Sequence, residues 1–462
     1  MEFFWCPAFR THGIFLARCG LSGIAHFNVC SFWQRMLKCL FSAGKEIFHA
    51  IVFNMLQQEL IPHLFRTEFR KIAAVLCKTF GMEHIETAED IAGAAFLAAL
   101  ETWSYKGIPE NPVAWLYTVA KNKAKNHLNR DKLFAAKIAK DMAQGAAVTE
   151  VTEIDLSEQN INDSQLQMLF AVCHPSIPAE AQVGLALRIL CGFGIEEIAV
   201  AFLTNKETIN KRLYRAKEKL RQEKVVIEFP GEGVIGERLS SVLTTLYLLF
   251  SEGYYSESND LVLREELCRE AMRLTLLLLQ NDLTNLPDVN ALYALMCFHA
   301  SRFTARKNEQ GEIVLYNDQN ESLWNYDLIA RGAYHLHLAS HGSQLTKYHL
   351  EAGIAYWHTI KADTKEKWEN ILQLYNRLLQ VAYSPVAALN RTYALSKARN
   401  KETAIEEAEK LKLTGNHFYF VLLGELHSGR DRETAKKYFE QALMLAKTKT
   451  DKQTIAAKIA LL

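Results

Sequence analysis

Apolar positions recur at helical spacing along almost the whole chain downstream of Met55, and strand-like alternation is scarce, which predicts an all-α protein. A first block is expected to hold helices near Leu56 to Phe80, Thr87 to Trp103 and Pro112 to Arg130. The short connection Lys106 to Asn111 carries Gly107 and Pro109, and Pro112 suits the first position of the next helix. The sharpest pattern lies between Gly194 and Arg221, where two short helices flank a tight turn. Ile195, Ile198, Ala199 and Phe202 form one apolar stripe, and Ile209, Leu213, Ala216 and Leu220 form the other. Thr204 with Glu207 makes a capping box for the second helix, or Asn205 caps it directly. The turn has Leu203 where a glycine often sits.

Beyond Pro230 the helices become leucine-rich and less basic. Residues 236–361 read as one helical body, interrupted from Arg306 to Asn325, where GEIVLY could form a short strand or hairpin. Residues 366–450 look repetitive: Tyr419, Leu422, Leu423, Leu426, Ala435, Phe439 and Ala442 fall on tetratricopeptide-repeat (TPR) spacing, after an earlier unit with Trp368, Ile371, Leu372 and Tyr375. Ala404 and Ala408 supply small positions between them. Generic amphipathic helices are the plainer account of the same pattern.

The chain has 462 residues, enough for about three domains, and 53 basic against 52 acidic residues leave a net charge of +1. Any attraction to nucleic acid must therefore be local. Charge is indeed segregated into a basic stretch from Lys121 to Lys140, an acidic one from Glu150 to Asp163 and a second basic one from Lys206 to Lys224. On the last of these, Lys206, Lys211, Arg212, Arg215, Lys217 and Lys219 stand away from the apolar stripe, as groups that contact phosphates and base edges do. A solvated basic face without function is the competing reading. Residues 141–163 are polar and acidic and are expected to be an extended linker. None of the nine cysteines forms a CxxC pair, which argues against a disulfide framework or structural metal and suits a reducing cytoplasm. Residues 1–54 differ in composition from the rest and read as an atypical extension or a mis-assigned start; they are neither a transmembrane span nor a good signal peptide.

Two patterns are decoys. Gly231, Gly233 and Gly236 spell GxGxxG after KVVIEFP, but no βαβ alternation follows and Pro230 breaks the strand-to-turn step. His335, His337 and His341 cluster without an accompanying carboxylate pattern, so no metal or other cofactor is expected.

The segment Pro112 to Arg130, PVAWLYTVAKNKAKNHLNR, mixes aromatics with Lys, Asn and His on one helix, which suits single-stranded DNA: rings stack on unpaired bases while amides and cations hold the backbone. Trp115 and Tyr117 could equally be core residues, whereas Lys121, Asn122, Lys125 and Asn126 are better contact candidates. With AEDIAGAAFLAALETW (Ala88 to Trp103) ahead of it, this segment resembles sigma region 2, and CHPSIPAEAQVGLALRILCGFGIEEIAVAFLTNKETINKRLYRAKEKLR from Cys173 resembles sigma region 4. The chain is thus similar to the extracytoplasmic-function (ECF) sigma factors of the sigma-70 family. Glu237 to Tyr254 and Gly311 to Gly332 look like the C-terminal extension of an ECF subgroup ending in TPR-like repeats.

The resemblance implies a region 2 domain over residues 55–140, a region 4 helix-turn-helix domain over 164–226, and a C-terminal domain followed by TPR-like repeats. It implies that Glu89, Asp90, Ala94 and Phe96 dock on core RNA polymerase. Trp115, Tyr117, Lys121, Asn122, Lys125 and Asn126 would open and read the −10 promoter element, and Lys206, Thr208, Lys211, Arg212 and Arg215 would read the −35 element. Gly93 stands where such sequences often have glutamine and Asn126 where aspartate is common, which bears on core binding and −10 preference. Two modules on a flexible tether would grip a promoter avidly only once polymerase fixes their spacing. The implied protein is not an enzyme; its partners are core polymerase and promoter DNA, with a further protein partner or an intramolecular contact for the C-terminal repeats. It would work in the cytoplasm, without a membrane. The alternative is a helix-turn-helix regulator with a repeat-type sensor domain that never engages core polymerase.

Overall fold

The computed structural model describes residues 45–141, 154–231, 233–255, 261–306, 314 and 316–462. Every element among them is helical. Most of the N-terminal extension and of the GEIVLY segment lies outside the described residues. The chain forms two compact units, which divide between Val242 and Leu243.

In the first unit α1 (Lys45–Phe80) starts ahead of the expected position near Leu56 and carries Pro62 on an exposed turn. Ile72, Ala73, Ala74, Val75, Leu76 and Cys77 are all buried in succession, so this helix is covered on every side rather than on one stripe. One side meets α2 (Ile85–Lys106) and α3 (Pro112–Asp141); the other meets α4 (Glu158–Val172) and the π turn Ala186–Leu190 that continues α5 (Ala179–Leu185). The two sequence blocks, expected as separate bodies on a tether, therefore share one core. Part of the expected linker is itself ordered: Ser157 caps α4, accepting from the Asn160 N–H, and Ile154 and Ile161 are buried. Those two isoleucines are the apolar side chains that the acidic composition of 141–163 hid.

The Gly194 to Arg221 stretch forms α6 (Ile195–Ala201) and α7 (Lys206–Gln222). Asn205 is the cap of α7, its Oδ1 accepting from the Thr208 N–H at 2.8 Å, so the direct cap wins over the Thr204–Glu207 box. Leu203 makes the turn with φ 47°, a left-handed conformation that costs an L side chain roughly 1–2 kcal/mol. Ile198, Ala199, Ile209, Leu213, Ala216 and Leu220 are buried, as their spacing predicts.

The second unit runs from the body of α8 (Ile235–Tyr255) through α9 (Leu261–Leu279) to α10 (Pro287–Ala300), which is buried on all sides from Val289 to Ala300. Helix α11 (Tyr326–Ala339) approaches α10 closely at Gly332, where a Cβ would lie 2.6 Å from the Phe298 ring. After α12 (Lys347–Trp357) come α13 (Lys365–Val381), α14 (Pro385–Ala398), α15 (Lys401–Leu411), α16 (His417–His427), α17 (Arg432–Leu445) and α18 (Lys449–Ala460). Six side chains, Thr364, Ser384, Asn400, Asn416, Asp431 and Thr448, cap these six helices in turn, which is why the chain reverses where it does. The apolar repeat positions Trp368, Ile371, Leu372, Tyr375, Ala404 and Ala408 enter one continuous core with Tyr419, Leu422, Leu423 and Leu426, and Phe439 and Ala442 enter the next. Gly424 lets α16 meet α17, since a Cβ there would lie 2.6 Å from the Phe439 ring.

No strand occurs at KVVIEF or anywhere else among the described residues, and Gly236 lies inside α8, so the glycine pattern frames no dinucleotide site. His335 donates from Nδ1 to Asn290 Oδ1 at 2.8 Å and stands edge-on to Tyr293, while His337 and His341 meet ring to ring at 4.9 Å. Among the described residues no helix is long and apolar enough to cross a membrane.

Candidate nucleic-acid interface

Helix α3 starts as its sequence dictates: Asn111 Oδ1 accepts from the Ala114 N–H at 3.0 Å and Pro112 follows as the first helical residue. Leu116, Ala120 and Ala124 face the core, which turns Ala114, Thr118, Asn122, Lys125 and Asn126 outwards. Asn122, Lys125 and Asn126 therefore form the polar face that single-stranded DNA would need. Lys121 is half-buried at its edge, beside a cavity of about 460 Å³ lined also by Tyr117, Thr118 and Ile154 to Leu156. The two aromatics are half-buried. Trp115 packs edge-on against the buried Trp103 at 5.4 Å, and the Tyr117 hydroxyl donates to Glu68 Oε2 at 2.6 Å. Burial and that carboxylate push the Tyr117 pKa far above the ordinary phenol value. Of the expected −10 set, these two make contacts within the domain.

On α7 the structure separates residues that the sequence left equivalent. Thr208, Lys211 and Arg215 are exposed on one face. Lys206 is exposed but pairs with Glu196 at 2.7 Å, which raises its pKa by hydrogen bond and charge. Arg212 is half-buried, bound to Glu180 at 3.0 Å and lying over the Phe202 ring. Lys217, which the sequence counted among the solvent-facing cations, is buried.

Its partner is the helix expected to grip polymerase. Lys217 Nζ lies 2.7 Å from Glu89 Oε2 and 3.5 Å from Glu86 Oε1, Arg188 Nε lies 3.0 Å from Glu89 Oε1, and Arg221 also meets Glu86. Only 11% of each of the Lys217 and Glu89 side chains is exposed. Beneath them burial, reinforced by Glu89, drives the Cys77 thiol pKa far up. Of the remaining residues expected to dock on polymerase, Phe96 is core, packed edge-on against Phe65 at 5.1 Å, and only Asp90 is fully exposed, with Ala94 partly so. Leu97 and Leu100, which the sequence reading did not single out, are also exposed on α2, about one and two turns beyond Ala94. The signal was available: two leucines interrupt the small alanines that line the buried side.

The comparisons fall on these same elements. Residues 64–133, from α1 into α3, match Sigma-70 region 2, and residues 238–340 match a family of unknown function, DUF6596. An uncharacterized protein of Rhizobium meliloti is 33% identical over 370 residues, covering 79% of this chain and 87% of that one. The chain belongs to the same family as this protein. It carries a sigma-70 region 2 domain, and a second relative agrees: a protein of Haemophilus influenzae named ECF RNA polymerase sigma-E factor is 30% identical over 113 residues, 22% of this chain and 57% of the other. Together these matches support a sigma-70 family factor. No solved structure matches the chain. Within region 2, Asn122, Lys125 and Asn126 form the open polar face of α3, Phe96 is core, and Trp115 and Tyr117 are half-buried against Trp103 and Glu68.

Proposed function

We propose that the chain is an ECF-type sigma factor that binds core RNA polymerase and directs initiation at specific promoters from the cytoplasm. The observation that carries the reading is the coincidence of the sigma-70 region 2 match with an exposed polar face on α3 next to a buried aromatic layer. On this reading Asn122, Lys125 and Asn126, with Lys121 at the margin, hold the opened −10 strand. Lys211, Arg215, Thr208 and Lys206 on the second helix of a region 4 helix-turn-helix read the −35 duplex. Asp90, Ala94, Leu97 and Leu100 on α2 contact polymerase, and the helices from α13 onwards are TPR-like repeats that regulate the factor or bind a partner.

The Glu89 cluster adds a condition. With Lys217 and Arg188 holding Glu89, the two promoter-reading modules are closed on one another, and Glu89 becomes available to polymerase only if α7 leaves α2. The same closure gives the alternative its support, because a regulator that never meets polymerase would keep Glu89 paired permanently. Run-off transcription with purified core polymerase and the full chain separates the two. Initiation at discrete promoter start sites is expected; a full chain that supports no initiation and does not associate with core polymerase would sink the sigma reading.

A further inference from the structure

Within the second unit, helices α10, α12, α13 and α14 and the segment around Tyr316 enclose a cavity of about 180 Å³. An enclosed space of about 150 Å³ holds a benzene ring, so this one fits a single ring with a small substituent. Its lining is polar and strongly biased in sign. Arg302, Lys361, Lys367 and Lys397 contribute four cations. The acidic lining residues are Asp363 and Glu351, and Asp363 is already engaged: Lys397 Nζ lies 2.8 Å from its Oδ2, and the Trp368 indole N–H donates to its Oδ1.

Lys367 is the centre of the arrangement. It is 1% exposed, and among the described residues no carboxylate lies at ion-pair distance from it. Its ammonium donates to the Tyr316 hydroxyl at 3.0 Å and to the Ile360 carbonyl, and stands 5.1 Å from the Tyr316 ring centroid and 5.7 Å from that of Trp368. Burial, helped by Arg302 and Lys397 and opposed by Asp363, lowers its pKa to about 8. A buried cation without an ionised partner is costly, and an anion brought into the cavity would offset that cost. Opposite in character is Glu351 on α12. It is buried, and burial raises its pKa well above the usual carboxylate range, against the Lys347 charge and a hydrogen bond with Tyr247. Trp368 and Tyr393, with ring centroids 5.4 Å apart, supply an aromatic wall.

We propose that this cavity binds a small organic anion, a carboxylate or phosphate monoester carrying one planar ring. Lys367 neutralises the anionic group, Arg302 and Lys397 stand beside it on the lining, the latter partly offset by Asp363, and Trp368 and Tyr393 hold the ring. Lys367, buried and without a carboxylate at ion-pair distance among the described residues, is the cation on this lining that an incoming anion would neutralise. The binding claim is independent of the sigma reading, since it rests on the second unit alone.

Isothermal titration of the full chain with benzoate, phenyl phosphate and inorganic phosphate tests it, with benzyl alcohol as the uncharged ring control. At least one ring-bearing anion is expected to bind, at least tenfold more tightly than benzyl alcohol and inorganic phosphate; which of the two binds tells carboxylate from phosphate. Lys367→Met is expected to weaken that binding at least tenfold. Lys397→Ala, at a more exposed position, gives a second variant that keeps the unit folded and should weaken binding at least threefold. Equal binding of benzyl alcohol, no binding of either anion, or unchanged affinity in the folded variants would overturn the proposal.

Discussion

Leu203 shows how a single backbone angle can be read half-way from sequence. The missing glycine is visible in the chain, but only the structure places Leu203 at φ 47° with its side chain largely in solvent. Asparagine tolerates that conformation better. Leu203→Asn is therefore expected to stabilise the first unit by about 0.5–1 kcal/mol, read as a higher urea midpoint with unchanged slope. Tyr117 shows the opposite case, since an aromatic beside basic residues is an obvious stacking candidate until its hydroxyl is found on Glu68 at 2.6 Å. Removing that hydroxyl leaves a buried carboxylate that still meets Lys71, whose Nζ donates to Glu68 Oε1 at 2.9 Å. Tyr117→Phe should cost roughly 1–2 kcal/mol of stability while changing affinity for single-stranded −10 DNA little, and Asn122→Ala should do the reverse. Denaturant melts and a fluorescence-anisotropy titration on the same two variants check the pair.

Among the elements, α7 repays comparison with its sequence. Ile209, Leu213, Ala216 and Leu220 were legible because burial imposes a period of 3.6 residues. Lys217 was not, because it comes four residues after Leu213 and three before Leu220, on the flank of the stripe; whether a flank meets water or another helix depends on what packs there. The same holds for α2, where Phe96 fits a core position as readily as a surface one until Phe65 is seen against it. Two outcomes follow for these elements. Lys211→Ala with Arg215→Ala should weaken binding to −35 duplex and reduce the slope of log affinity against log salt by about 2, roughly one per lost phosphate contact, whereas Arg212→Ala, its side chain already on Glu180, should change the slope less. Lys217→Met leaves Glu89 with Arg188 and should speed amide exchange along α2 and α7, measured by hydrogen–deuterium exchange on the full chain. Unchanged protection on both helices would show that the ion pairs do not hold the modules closed.

At the scale of the whole molecule, stability should depend on pH through Glu252 in the second unit, whose pKa burial raises to about 7 from an ordinary value of 4.5. The folded state then holds a proton that the unfolded chain releases, so stability is greatest below about pH 4.5 and declines as pH rises through 7. Glu252→Gln should flatten the profile of unfolding free energy between pH 5 and 7.5, and an unchanged profile would mean that other groups set it. The sequence by itself determined the helical class, the Asn205 cap and the Pro112 helix start, and the residues eligible for DNA contact, because periodicity and capping are local consequences of the helix and its unsatisfied ends. It also determined the likeness to sigma region 2, which residues 64–133 carry in their own order. Only the tertiary structure decided which eligible residues reach solvent, that Glu89 is held by Lys217, that the two sequence blocks share the core around α1, and that cations from three separate stretches, Arg302, Lys361 with Lys367, and Lys397, line one cavity. Those are relations between faces of different helices. No window of sequence contains both faces, and so the choice falls to packing.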